Sequence, residues 1–320
     1  MLFSQSPHIK SNNTTRRIML NVALALSPAC VMGVVYFGLQ ALAVIAVSII
    51  CSIGFELLYE VIMGKKLSDA INALDYSSLV TGIIIALIIP ATWHLYVPAL
   101  ASAFAIIVVK MLFGGTGKNL VNPAVTGRIF AFISFTTIMN AFIAPNIGTI
   151  VDDKIITGAT SLQSILNDGS SLSVIDLLLG TGIAGCIGET CKIAILVGAI
   201  YLAIKGIIDI FMPTVAVLIA GLMAVILNGF DFGVFLPTIL SGGLIFGAYF
   251  MATDFVTNPT SKLGQYVFFI GFGILTGILR HFTGYETTSF AILIMNLLVP
   301  LIDKVTIGKP FGYKKAKGAK

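Results

Sequence analysis

Thr160 follows Gly158 and Ala159 in the run "IITGATSLQS", residues 155 to 164. Small neighbours leave its hydroxyl sterically open, as a hydroxyl must be if another protein is to modify it or load it with a bulky group. An ordinary surface turn would use the same residues. Elsewhere the chemistry-bearing groups stand out because the chain around them is apolar. Glu56 and Glu60 lie one helical turn apart, and Asp254 sits in "YFMATDFVTNPTS". A charge at membrane depth costs several kcal/mol unless it faces a polar interior, which makes each a functional candidate. The bland alternatives are a surface pair of Glu60 with Lys65 or Lys66, and a helix break capped by Asp254.

The stretch "FGGTGKNLVNPAVTGRIF", 113 to 130, is denser still. Gly114, Gly115 and Gly117 permit positive φ and close backbone approach. Asn119 and Asn122 offer both donors and acceptors, which suits a ring carrying both kinds of group, and Lys118 and Arg128 are placed to neutralise an anion. A phosphate loop would need Gly-x-x-x-x-Gly-Lys-Ser/Thr, and "GGTGKN" lacks the spacing and the hydroxyl. A plain re-entrant turn competes with the binding reading. Cys30, Cys51, Cys186 and Cys191 form no CxxC pair, so neither a metal centre nor a disulfide framework is expected.

The elements that must position these residues are helices in a bilayer. The 320 residues are 57% hydrophobic and 10% charged, with a mean hydropathy of +1.02, outside the range of chains balanced by a charged surface. Nothing in this composition suggests a nucleic-acid partner; lipid is the expected surroundings. Strand-like alternation is absent, which leaves helices to satisfy the backbone. About ten apolar segments are expected: 18 to 38, 40 to 63, 77 to 92, 94 to 113, 124 to 144, 190 to 206, 208 to 228, 236 to 252, 264 to 282 and 286 to 302. The third stops at Pro90. The run "LSVIDLLLGTGIAGCIG", 172 to 188, is broken by glycines and reads as a half-helix dipping into the membrane.

Ten spans place both termini on one side, and most of the 19 basic residues then share that side, which the positive-inside rule makes the cytoplasm. Lys154, Lys192 and Arg280 fall near the outside, as does the long loop from 145 to 188 with Thr160. A faint internal repeat supports the count: Glu56 and Glu189 are 133 residues apart, and Asn122-Pro123 and Asn258-Pro259 are 136 apart. A five-span unit is odd, so two copies would be inverted. The resulting organisation is an arm and first five-helix repeat over 1–144, an extracytoplasmic loop over 145–188, a second repeat over 189–303 and a basic tail over 304–320.

With these residues in order and spacing, the chain resembles a known family. "LVTGIIIALIIPATWHLYVPAL", "FGGTGKNLVNPAVTGRIF", "ITGATSL", "GCIGET" and "FMATDFVTNPTSKLG" are similar to the family of the D component of the Rnf electron-transport complex and the related B component of the sodium-pumping NADH:quinone reductase. The short N-terminal arm favours the Rnf side. The resemblance implies FMN joined through its phosphate to Thr160, within Thr157-Gly158-Ala159-Thr160, attached by a flavin transferase outside the cytoplasm. The chain departs from the family pattern at Lys154, where an aspartate is usual. The resemblance further implies a second flavin, riboflavin, near Asn119 and Asn122, and two inverted five-helix repeats like those of urea channels; Arg128, the cation of the same stretch, is a further candidate for flavin binding. It implies a subunit of a ferredoxin:NAD+ oxidoreductase in the inner membrane, beside iron-sulfur and FMN-bearing subunits. Electron flow there drives sodium ions or protons outward, with Glu56, Asp254 and Asp303 expected along the route. The flavins carry the chemistry, so no catalytic side chain of the chain's own is required. From the residues alone, a solute channel and a structural anchor for redox partners stay open beside this.

Overall fold

The computed structural model describes residues 14–143, 145, 173–181 and 184–307. Thr157, Gly158, Ala159 and Thr160 lie outside the described residues, as do the N-terminal arm and the basic tail. Among the described residues the chain is helical, with no strand beyond an isolated antiparallel bridge between Ile143 and Gly185. That bridge joins the two ends of the loop that contains Thr160.

Helix α1, Thr15–Ile62, runs for 48 residues. At about 1.5 Å per residue that is roughly 72 Å, more than twice the hydrocarbon thickness of a bilayer. Gly38 divides it, with φ 61° and ψ −141°, backbone angles that suit a residue without Cβ. The two halves match the first two apolar segments. Leu24, Val31 and Ile50 stay exposed on its outer face, where lipid rather than water suits them.

The short helix α2, Leu67–Ala73, leads to α3, Ser77–Leu87, at an angle of 71°. Beyond Leu87 the helix ends in a turn, as expected from Pro90, which has no N–H to continue a helix. In an apolar setting the carbonyls freed there need partners. Gly188 N donates to Leu87 O (2.7 Å), Ile187 N to Ile89 O (3.3 Å) and Arg128 Nε to Ile88 O (3.1 Å). The glycine-broken run after α7, Val174–Leu179, therefore completes the interrupted end of α3.

Helix α4, Tyr96–Ala103, continues as a π-helix over Phe104–Met111. A turn follows, and then α5, Pro123–Ser134, and the short α6, Thr136–Met139. The second half of the chain contains α8, Lys192–Ile204, and α9, Phe211–Leu227. A broken span follows: α10, Phe235–Leu240, then α11, Leu244–Phe246, continuing as a π-helix over Gly247–Met251. The break bends the chain by 64°. Helices α12, Lys262–Thr283, and α13, Thr288–Thr306, close the fold.

Two units share a plan: a π-helix, a turn, Asn-Pro, and a helix. Leu112 N bonds Ile107 O (3.0 Å) and Ala252 N bonds Gly247 O (2.8 Å), so both π-helices close with an i to i−5 bond. Asn122-Pro123 and Asn258-Pro259, one of the two matches noted in the sequence, lie in these units. All ten apolar segments contain helix, but several helices are shorter than the segments suggested. Among the described residues three helices, α1, α12 and α13, are long and apolar enough to cross a membrane, or up to five if each of two bent pairs counts as one span. The shortening has a physical cause: the chain breaks at Pro90 and at Ser241–Gly243, and part of each segment is spent on the break.

Candidate functional site

The turn between the first π-helix and α5 is built by its glycines. Gly114, Gly115 and Gly117 adopt φ of 103°, 91° and 88°, as their places in the sequence suggested. Asn122 then starts α5 as its N-cap: Oδ1 accepts from Ala124 N (3.0 Å) and Val125 N (3.4 Å), with Pro123 in the first helical turn. Its Nδ2 donates to Met251 O (3.0 Å) at the end of the second π-helix. With the Asn296 amide turned so that its oxygen faces α5, the Asn122 N–H also finds an acceptor at 3.1 Å. Asn122 thus ties the two repeated units together, and its polar groups are engaged. Asn119, also buried, donates to Val121 O (3.0 Å).

Between these units lies a cleft. Its polar wall contains Ser77 at the start of α3, Lys110 on the first π-helix, and Thr116, Asn119 and Asn122 on the turn. Tyr249, Thr253 and Asp254 face them from the second unit, and Val80, Ile84 and Phe250 supply apolar surface. Asp254 accepts from Thr257 Oγ1 (3.2 Å).

Behind the cleft wall is a buried ion pair. Lys110 is 2% exposed, and its Nζ lies 2.8 Å from Glu56 Oε1 and 2.6 Å from Ser77 Oγ. Ser77 Oγ donates to Asp75 Oδ1 (2.6 Å) and meets Thr116 Oγ1 at 3.1 Å. Ser48 and Ser52 continue the polar face of α1 from Glu56 at helical spacing. Ser48 Oγ donates to Gly82 O (2.8 Å) and meets Ser102 Oγ at 3.2 Å. Gly82 permits this approach: a Cβ there would fall 2.9 Å from both Ser48 O and Ser52 Oγ.

The remaining sequence candidates lie elsewhere. Glu60 pairs with Lys65 at 2.5 Å on an accessible face, the bland alternative read from the sequence. Asp303 accepts from Thr260 N (3.1 Å) and Thr260 Oγ1 (3.3 Å), tethering the end of α13 to the loop after the second π-helix. Arg128 does not border the cleft. Its guanidinium holds Ile88 O and Ser289 Oγ (2.7 Å), with Glu189 at 3.5 Å.

Arg128 belongs to a buried charge cluster that sequence reasoning missed, formed with Glu189, Lys192, Arg280 and Glu286. Arg280 pairs with Glu286 (2.6 Å) and donates to Thr238 O (3.0 Å) and Ser241 O (3.2 Å) at the end of α10. Lys192 donates to the carbonyls of Glu189 and Gly242. The cations therefore satisfy backbone carbonyls freed where α3 and the α10–α11 span are broken, and the carboxylates balance most of their charge. The signal in the sequence is Arg280, a cation within an apolar segment. Lys110 was missed likewise: its position next to a turn suggests one more cytoplasmic basic residue, yet it is buried and paired.

The comparisons with known proteins agree over nearly the whole chain. A family model described as "NQR2, RnfD, RnfE family" matches residues 2–312. The chain is 38% identical to the D component of the Na(+)-translocating ferredoxin:NAD(+) oxidoreductase complex of Acetobacterium woodii, covering 98% of this chain and 96% of that one. It is 34% identical to the D component of the proton-translocating ferredoxin:NAD(+) oxidoreductase complex of Clostridium ljungdahlii, with the same coverage. It is 32% identical to the D component of the ion-translocating oxidoreductase complex of Ectopseudomonas mendocina, covering 97% of this chain and 95% of the relative. By the family match and by these near-full-length identities, the chain belongs to the NQR2, RnfD, RnfE family.

Proposed function

We propose that this chain is the D-type membrane component of an ion-translocating ferredoxin:NAD+ oxidoreductase, relaying electrons through flavins while sodium ions or protons cross the membrane. The observation that carries this reading is the near-full-length similarity to the D components of such complexes. Its partners are the iron-sulfur and FMN-bearing subunits of the complex, the flavin transferase that matures it, and lipid. The reading places it in the inner membrane with ten crossings in two inverted repeats, both termini cytoplasmic and the Thr160 loop outside. The paired π-helix, turn and Asn-Pro units support the repeat.

FMN is attached through its phosphate to Thr160, next to Thr157, Gly158 and Ala159. The second flavin occupies the cleft. Its lining, largely apolar with a few polar groups along one wall, suits a flat ring with polar edges. Val80, Ile84 and Phe250 offer faces for a flat ring, and Ser77, Thr116, Asn119 and Lys110 offer mixed donors and acceptors along one wall. Asn122 serves by holding that wall, and Arg128 by holding the broken end of α3. A bound flavin supplies an acceptor and donor of single electrons or pairs. The chain's own groups bind it, orient it and keep the seam behind it polar. Glu56, with Ser48, Ser52 and Ser102, provides the ion-handling seam of the first half; Asp254 borders the cleft and Asp303 lies at the rim of its loop.

Denaturing electrophoresis of the chain produced with its flavin transferase tests the covalent part. The wild-type band is expected to fluoresce under ultraviolet light and Thr160→Ala to abolish it. A colourless wild-type band would reject covalent attachment.

A further inference from the structure

We infer that Lys110 is a switch shared between the cleft and Glu56: an anionic group in the cleft draws the Lys110 ammonium away from Glu56, whose carboxylate, with Ser52, then takes up a monovalent cation. The inference rests on the reading that the cleft holds a redox flavin, whose reduced ring is an anion near neutral pH.

Lys110 is the one cation among the described residues lining the cleft, and its neighbours there, Ser77 and Thr116, are hydroxyls. The same ammonium is the partner of Glu56 on the opposite side, at 2.8 Å. A lysine suits this double duty, because a flexible four-carbon stem carries a compact charge with three rotatable donors. Glu56 is already equipped for a replacement. Its Oε2 is buried and has no hydrogen-bond partner, and Ser52 Oγ, one helical turn away on α1, is buried and likewise without one. An ordinary structural ion pair would have its remaining lone pairs satisfied. These two oxygens lie on the α1 face that packs against Gly82 and Ser102, where a hard cation would find oxygen ligands.

Lys110 also faces the partly buried Asp75 carboxylate across Ser77; while it holds Glu56, that glutamate is neutralised and has little attraction for another cation. When an anion in the cleft takes over the ammonium, Glu56 is left as a buried carboxylate, and a sodium ion or proton restores neutrality. No covalent bond changes: one negative charge added in the cleft is matched by one monovalent cation added at Glu56. Linkage is reciprocal, so the cation stabilises the anion in the cleft by the same factor.

The test uses the intact detergent-solubilised complex. Sodium binding is measured by equilibrium dialysis and proton uptake with a pH indicator, each on the oxidised and the dithionite-reduced protein. In the wild type, reduction is expected to tighten the binding of one of these cations about tenfold, within the usual span of coupling between sites. Lys110→Gln and the charge-neutral Lys110→Gln/Glu56→Gln double variant are expected to abolish that gain; the double variant leaves no buried charge unpaired and so protects the test against misfolding. A reduction-linked gain of wild-type size in either variant overturns the switch. Extraction and quantification of riboflavin, resolved chromatographically from the partners' FMN, separates the two levels: riboflavin present with an unchanged gain rejects only Lys110, whereas no extractable riboflavin rejects the reading of the cleft and the switch with it.

Discussion

Replacing Asn122 tests whether the two repeated units are held to each other at the cleft wall. Its side chain supplies the N-cap of α5 and the donor to Met251 O. Asn122→Ala removes both. Losing the cap costs about 1 kcal/mol, and leaving a buried carbonyl without its donor costs about 1–3 kcal/mol, so the total is about 2–4 kcal/mol. Asn122→Ser keeps a capping oxygen but is too short to reach Met251, and should lose only the second share. Melts of the purified, detergent-solubilised chain, followed by circular dichroism, should show Asn122→Ala lowered by on the order of 5 °C or more. Asn122→Ser should fall between it and the wild type. Wild-type melting of Asn122→Ser would mean the link to Met251 contributes nothing, and the argument that Asn122 joins the units would fail.

Arg280→Met should be more damaging, because Glu286 would remain as a buried charge without its partner; breaking such a pair costs about 3–5 kcal/mol, and loss of folded protein on size-exclusion chromatography is the readout. Exchanging both, Arg280→Met with Glu286→Gln, should recover part of the yield. Gly198→Leu should disrupt the packing of α8 on α1, since even a Cβ at that position collides with Ala25 O and approaches the Phe250 ring; a lowered melting temperature together with weaker retention of non-covalent flavin is expected. In reconstituted vesicles, Lys110→Gln/Glu56→Gln, which leaves neither member of the pair as a lone buried charge, should lower ions moved per electron, and unchanged stoichiometry would remove the pair from the route.

The helical segments were legible in the sequence because lipid imposes one demand, long apolar stretches, that composition displays directly. The stop at Pro90 was legible because proline announces what the backbone can do, and the boundary between the first two apolar segments fell where Gly38 divides α1. The local chemistry of the 113–130 turn was also readable, since positive φ at three glycines needs no tertiary information. What could not be read was which polar groups meet. Arg128 is only six residues beyond Asn122, and sequence proximity suggested a shared site, but along α5 that separation turns it to the side of Ile88 and Ser289. Lys110 and Glu56 are 54 residues apart, and Arg128 and Glu189 farther still. Their pairing is a property of the assembled fold. The broken spans explain the carbonyls held by Arg128, Lys192 and Arg280, whereas Lys110 meets only Glu56 and Ser77 side chains, brought together by the packing of α1 on α3 and the first π-helix.

The claim at the centre of this account is that the chain carries electrons on a flavin fixed at Thr160. Mass spectrometry of the proteolytic peptide containing Thr160, taken from protein produced with the flavin transferase, addresses it most directly. The account predicts a peptide heavier than its sequence by FMN less one water, with fragments placing the addition on Thr160. A peptide of unmodified mass, or an addition on another residue, would contradict it.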